Sequence, residues 1–132
     1  MNRLTKGKAL FGDVSTMAAT FTVGAEATNA INVAVQLNDG NGQAMARACA
    51  LPFYLADDAA GLTPSTTAPN SGIAIGTDGA LIESVANLSG TAISELDGDI
   101  DITLTDTGTP TFYLVLVLPN GELAISDAIT FA

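Results

Sequence analysis

"DIDITLTDTGTPTFYLVLVLPNG" occupies residues 99–121 and contains two kinds of strand in succession. In the first, Asp99, Asp101, Thr103 and Thr105 alternate with Ile100, Ile102 and Leu104. Successive side chains of a strand point to opposite faces. This half therefore predicts a polar-out, apolar-in strand of a half-buried antiparallel sheet. The second, "TFYLVLVL" (111–118), is apolar on both faces. Between them Asp106–Gly108 forms a tight acidic corner, and "PNG" (119–121) reads as a hairpin turn.

One step upstream, Asp97 continues the acidic face, and the spacing of Asp97, Asp99 and Asp101 invites comparison with a calcium loop. The EF-hand pattern fails. Ile102 stands at its sixth position, where glycine is needed, and Gly108 at its twelfth, where a bidentate glutamate is needed. A solvated strand face is the expectation, with a weak calcium site shared with Asp57 and Asp58 as the alternative.

The same alternation recurs upstream. "ATFTV" (19–23) puts Phe21 and Val23 on one face, and "AINVAVQL" (30–37) does so with Ile31, Val33, Val35 and Leu37. "NDGNG" (38–42) is a turn cluster. "ARACALPFYL" (46–55) is a strand that lies at an edge or carries a bulge at Pro52, which has no N–H to donate. Residues 56–72 form the longest loop, with one helical turn at Asp57–Ala60. "IAIGTDGALIESV" (73–85) reads as a hairpin closed by Thr77-Asp78-Gly79. "TAISEL" (91–96) and "DIDITLTD" (99–106) are one strand broken at Gly98, or two short ones.

About seven short strands at a spacing of roughly ten residues predict an all-β, immunoglobulin-like antiparallel β-sandwich. It occupies residues 18–132 and follows an extended N-terminal arm, residues 1–17. Tyr113, opening the apolar strand after the acidic corner, is placed to bond back to that corner as in immunoglobulin-like folds.

Composition narrows the function classes. At 132 residues and 48% hydrophobic, the chain is a single domain with a real core. No apolar run approaches the ~18 residues of a membrane span. "MNRLTKGKALFG" (1–12) lacks the apolar segment of a signal peptide, so retention in the cytoplasm after synthesis is expected. The net charge of −10 argues against nucleic acid as a partner. There is no histidine, no nucleophile motif, no phosphate loop and no zinc pattern. The single Cys49 reads as a small core side chain. No catalytic residue, metal or cofactor is expected, and neither is a membrane partner.

Two features point to protein contacts instead. If Tyr113, Val115 and Val117 face the core, then Phe112, Leu114 and Leu116 form an exposed apolar face. Reversing the assignment leaves Tyr113 and two valines outside. An apolar outer face needs cover, either from another chain or from the 56–72 loop; a partner surface of Phe112, Leu114 and Leu116 is the expectation. The second feature is the arm, which interleaves Arg3, Lys6 and Lys8 with Leu4, Leu10 and Phe11. Opposite in charge to the body that follows, it is suited to clamp that body or a neighbouring subunit.

"INVAVQLNDGNG", "YLADDAAG", "GIAIGTDGALI", "SELDGDIDITLTDTG" and "FYLVLVLPNGELAISDAITFA" together resemble a group of small tailed-bacteriophage virion proteins. The resemblance covers about residues 30–132 and leaves the basic arm outside it. That group is encoded among head genes and regarded as head-decoration (cement) or related structural proteins. The resemblance implies a β-sandwich displayed on the capsid surface, made in the host cytoplasm, with the major capsid protein as partner and a homo-oligomeric state. The alternative is an immunoglobulin-like head-fibre or tail appendage that binds host surface glycans or proteins.

Overall fold

The computed structural model describes residues 17–132. The arm residues Arg3, Leu4, Lys6, Lys8, Leu10 and Phe11 lie outside the described residues. Within them the chain is all-β, with ten strands and no helix. These are β1 (Ala18–Val23), β2 (Ala30–Asn38), β3 (Ala50–Ala56), β4 (Ile73–Ile75) and β5 (Ala80–Val85). They continue with β6 (Ser89–Ile93), β7 (Asp99–Thr105), β8 (Thr111–Val117), β9 (Leu123–Ile125) and β10 (Ile129–Thr130).

The strands form two antiparallel sheets. One has the order β1-β2-β7-β4; the other runs β10-β8-β3-β6-β5, with β9 also paired to β8. The first matches the A-B-E-D order of an immunoglobulin sheet, and β9/β10-β8-β3 matches G-F-C. The fold is an immunoglobulin-like β-sandwich in which the hairpin β5–β6 widens the second sheet beyond its C strand.

The alternation in the sequence decides the interior. Ile31, Val33, Val35 and Leu37 of β2 and Ile100, Ile102 and Leu104 of β7 are buried from one sheet. Leu51, Phe53 and Leu55 of β3 meet them from the other. Fully burying each such side chain contributes about 1.5–3 kcal/mol. Phe112, Leu114 and Leu116 belong to this core, at 3%, 0% and 0% exposure. The expected docking face of Phe112, Leu114 and Leu116 is therefore corrected: β8 presents Tyr113, Val115 and Val117 outward. Bulk explains the choice, since the inter-sheet space takes the phenylalanine and leucines while the tyrosine keeps its polar end wet.

Two further expectations are corrected, and one left open is decided. Residues 73–85 are not a hairpin: Thr77-Asp78-Gly79 carries the chain from β4 in one sheet to β5 in the other. A Cβ at Gly79 (φ +92) would stand 2.6 Å from the Ile93 carbonyl, so only glycine makes that corner. Of the two readings of residues 91–106, two short strands is the one observed, and the chain changes sheet at Gly98 between β6 and β7. Asp57–Ala60 is a turn, held by Gly61 N donating to the Asp58 carbonyl (3.1 Å) and Thr63 N to its carboxylate (3.0 Å).

Pro52 lies inside β3 opposite Thr91 of β6, while pairing with β8 begins only at Phe53. Leu55 N donates to Leu88 O on the β6 side, so by alternation the Pro52 nitrogen faces the other side, beyond the end of the β8 ladder. The last strand is interrupted between β9 and β10. There Ser126 N donates to the Leu114 carbonyl (2.9 Å) while its hydroxyl accepts from Leu114 N (3.0 Å). The buried hydroxyl thus replaces a ladder carbonyl.

Candidate interaction surface

The two sheets present very different outer faces. On the first, β7 shows Asp99, Asp101 and Thr103, opposite Gln36, Ala34 and Asn32 of β2. Polar groups there bond to one another. Asn32 donates to the Thr103 hydroxyl (3.2 Å), Thr77 to the Asp101 carboxylate (2.7 Å), and the Gln36 amide to the Asp97 carbonyl (2.9 Å). Partial burial raises the Asp99 carboxyl above its ordinary range, and the charges of Asp97, Asp78 and Asp101 add to it. Among the described residues no three His, Cys, Asp or Glu side chains gather closely enough to hold a metal ion.

The second sheet's outer face carries no charged side chain. Leu51 of β3, Ala92 of β6 and Leu116 of β8 face the core. Their neighbours Pro52, Thr91, Ile93, Val117 and, on β9, Leu123 therefore face out in register. Ile82 of β5, opposite Thr91, is 61% exposed. Glu83, the one acidic residue in these strands, sits opposite Gly90 in the inward-facing register, at the rim.

The longest loop covers part of this face. Gly61 (φ +69) lies so close that an added Cβ would be 3.1 Å from Ile125 and 3.2 Å from Val115. The Tyr54 hydroxyl donates to the Gly61 carbonyl and fixes the loop there. Val115 is fully buried as a result. The tyrosine that ties down a loop is thus Tyr54; Tyr113 is half-buried on the same outer face. Beyond the loop the face stays open from Ile82 to Leu123, with Leu62 at 76% exposure on its border.

The acidic corner is organised by Asp106 alone. Its buried carboxylate accepts from Asn70 N and from Gly108 N, both at 2.7 Å. Asn70 and Thr107 then bond each other twice, at 2.8 and 3.0 Å. Cys49 is half-buried; burial pushes its thiol up, and Arg47 opposes this only in part. Such a thiol is a poor nucleophile at neutral pH.

Two pockets open to solvent flank the corner where the chain passes from β4 to β5. One, about 490 Å³, is lined by Ile73, Ile75, Ala80, Leu81 and Glu83. The other, about 280 Å³, is lined by Gly79, Ala80, Ile93, Glu95 and Leu96. Leu96 is 75% exposed. Sequence reasoning missed these pockets, because they exist only where β4 and β5 enter different sheets.

No protein-family model matches the chain, and no curated protein matches it. Among solved structures, a cohesin module from a Clostridium perfringens ATCC13124 family 33 glycoside hydrolase is similar at 12% identity. The match covers 88% of this chain and 93% of that one, with a TM-score of 0.43. The outer membrane decaheme cytochrome OmcA is similar at 18% identity over 91% of this chain and 23% of its own length, with a TM-score of 0.40. At these scores neither likeness assigns a role. No helix among the described residues is long and apolar enough to cross a membrane.

Proposed function

We propose that this chain is a non-catalytic structural protein of a bacteriophage virion, a decoration subunit bound to the outer surface of the head. The observation that carries the reading is the outer face of the second sheet, whose strands turn no charged side chain outward. A contiguous exposed apolar face on a small domain is a contact surface. The sequence resemblance to phage head-decoration proteins supplies the setting. The partner is the major capsid protein, and Pro52, Ile82, Val117 and Leu123 are the contacts, in place of the buried Phe112, Leu114 and Leu116. Many copies, each holding weakly, would stabilise the shell.

Copy number in native particles tests this. Hundreds of copies on the capsid lattice, lost when Ile82 and Val117 are both changed to Asp, is the expected result. A few copies at one vertex or on the tail would favour a host-binding appendage. Absence from the particle would end the virion reading.

A further inference from the structure

We propose that two copies of this chain join edge to edge along β1, antiparallel, so that the first sheet runs on from one copy into the other. Among the described residues β1 pairs only with β2. The other edge strands carry features that keep edges from joining. β4 and β9 have three residues each and β10 has two. β5 has a register shift between Glu83 and Val85, beside the Glu83 charge. β1 has none of these. It holds an unbroken register with β2 over all six residues, "AATFTV", with no charge and no proline.

The ladder fixes which main-chain groups are left over. Gly24 N donates to the Asn32 carbonyl (2.8 Å), and bonded and non-bonded pairs alternate from there. Thr22, Thr20 and Ala18 therefore turn their N–H and C=O toward β2. Leu37, opposite Ala19, agrees: its N–H goes to Gly98 and its C=O to Met45 rather than to β1. Ala19, Phe21 and Val23 thus aim their amides and carbonyls outward. These groups are self-complementary about Phe21. A two-fold axis there sets Phe21 against its own mate and Ala19 against Val23, and every outward group on the three residues gains a partner. The side chains fit the same register. Ala19, Phe21 and Val23 are half-buried against the core, and the join covers them, with small Ala19 beside larger Val23. On the exposed side Thr20 stands opposite Thr22, a favourable cross-strand pair.

Charge favours this edge for a second copy. The chain carries a net charge of −10, so two copies meet best where their carboxylates stay apart. Asp99 and Asp101 lie on β7, two strands in from β1 but adjacent to β4. Joined at β1, the two β7 strands are about five strand spacings apart, ~24 Å, or about three Debye lengths at physiological salt. Joined at β4 they would be about three spacings apart, ~14 Å. Two-fold pairing of this kind keeps each face of the sheet on its own side. Both second sheets then lie on one side of the joint sheet, and both acidic faces on the other. The pairing stands apart from the virion reading, and only its consequence rests on that reading. Two apolar faces would reach one capsid surface together, each raising the effective concentration of the other.

Sedimentation of the purified full-length protein, with no particle present, tests the pairing. A concentration-dependent dimer is expected, tightening with salt as the repulsion between copies is screened. Ala19→Pro removes an outward N–H and leaves the bonds to β2 in place; it should weaken the dimer at least about tenfold with an unchanged circular dichroism spectrum. Thr20→Cys mixed with Thr22→Cys, each also carrying Cys49→Ser, should form a disulfide-linked pair in air, and neither alone should. Thr20 and Thr22 are exposed, so this pair of variants reads the register even if Ala19→Pro fails to fold. A monomer at every concentration would overturn the proposal, and is the result if residues 1–16 of the same chain lie along β1. So would a dimer that weakens with salt, a dimer indifferent to a folded Ala19→Pro, or cross-linking of either cysteine variant by itself.

Discussion

The Tyr54 hydroxyl donates to the Gly61 carbonyl and holds the longest loop against the outside of the second sheet. Burial, and then the Asp58 charge, raise the Tyr54 phenol above its ordinary value near 10. The neutral phenol is thus the favoured form in the folded protein. Its contribution is complete below the unfolded value and is lost as pH rises through the higher folded one. Tyr54→Phe should cost about 1 kcal/mol at neutral pH, and the difference from wild type should shrink above pH ~10. Melts at pH 7 and 10.5 would measure both.

Gly61 cannot be replaced by a branched residue. Gly61→Val combines a left-handed backbone with a clash against Ile125 and Val115, for a loss of roughly 1–3 kcal/mol. Proteolysis should then cut within residues 57–66 first. An unchanged melting temperature and cleavage pattern would show that the loop does not rest on that face.

Leu116 and Val117 are adjacent and should behave oppositely. Leu116→Asp puts a carboxylate at a position with 0% exposure and should prevent folding, a loss beyond ~4 kcal/mol. Val117→Asp, on the half-exposed outer face, should melt within ~1 kcal/mol of wild type. Circular dichroism of the two variants checks the facing of β8 directly.

At neutral pH the charged form of Asp99 is disfavoured in the fold. Because the Asp99 carboxyl is raised in the fold, its protonated form is favoured there. That contribution is present below the unfolded value, near pH 4, and disappears as pH rises through the folded one. Asp99→Asn should therefore raise the melting temperature slightly at pH 7 and leave it unchanged at pH 3. Adding calcium should shift neither protein. A large calcium-dependent rise, lost in Asp97→Asn/Asp99→Asn/Asp101→Asn, would reveal a bound ion.

Asp106 is a stronger case. Asp106→Ala removes the acceptor of two backbone amides, Asn70 N and Gly108 N, and should cost about 1–3 kcal/mol. A thermal melt of this variant measures the worth of the corner.

Alternation with period two made most of the fold legible, because in β2 and β7 it states outright which side is wet. Where a strand is apolar on both sides, as in β8, the pattern is silent about orientation. A signal was present in Tyr113: a phenol prefers a wet surface, so its face is the outer one. The Thr77-Asp78-Gly79 corner misled because the residues that close a hairpin also turn a chain between sheets. The side chains Ile82 and Val117 could not be joined into one surface without the register that places β3 and β6 between them.

The ladder between β2 and β7 joins Gln36 to Asp99 and Ala30 to Thr105, partners far apart in the chain. Pairing of that kind folds slowly, since a long loop must close before any contact rewards it. At ribosomal speeds of about 5–20 residues per second, β2 waits roughly 3–12 seconds for its partner to be made. During that wait Ile31, Val33, Val35 and Leu37 have only β1 beside them and, opposite, only the incomplete second sheet of β3, β5 and β6 as these emerge. The nascent chain is most exposed to mispairing in that interval, well before the finished protein meets any partner.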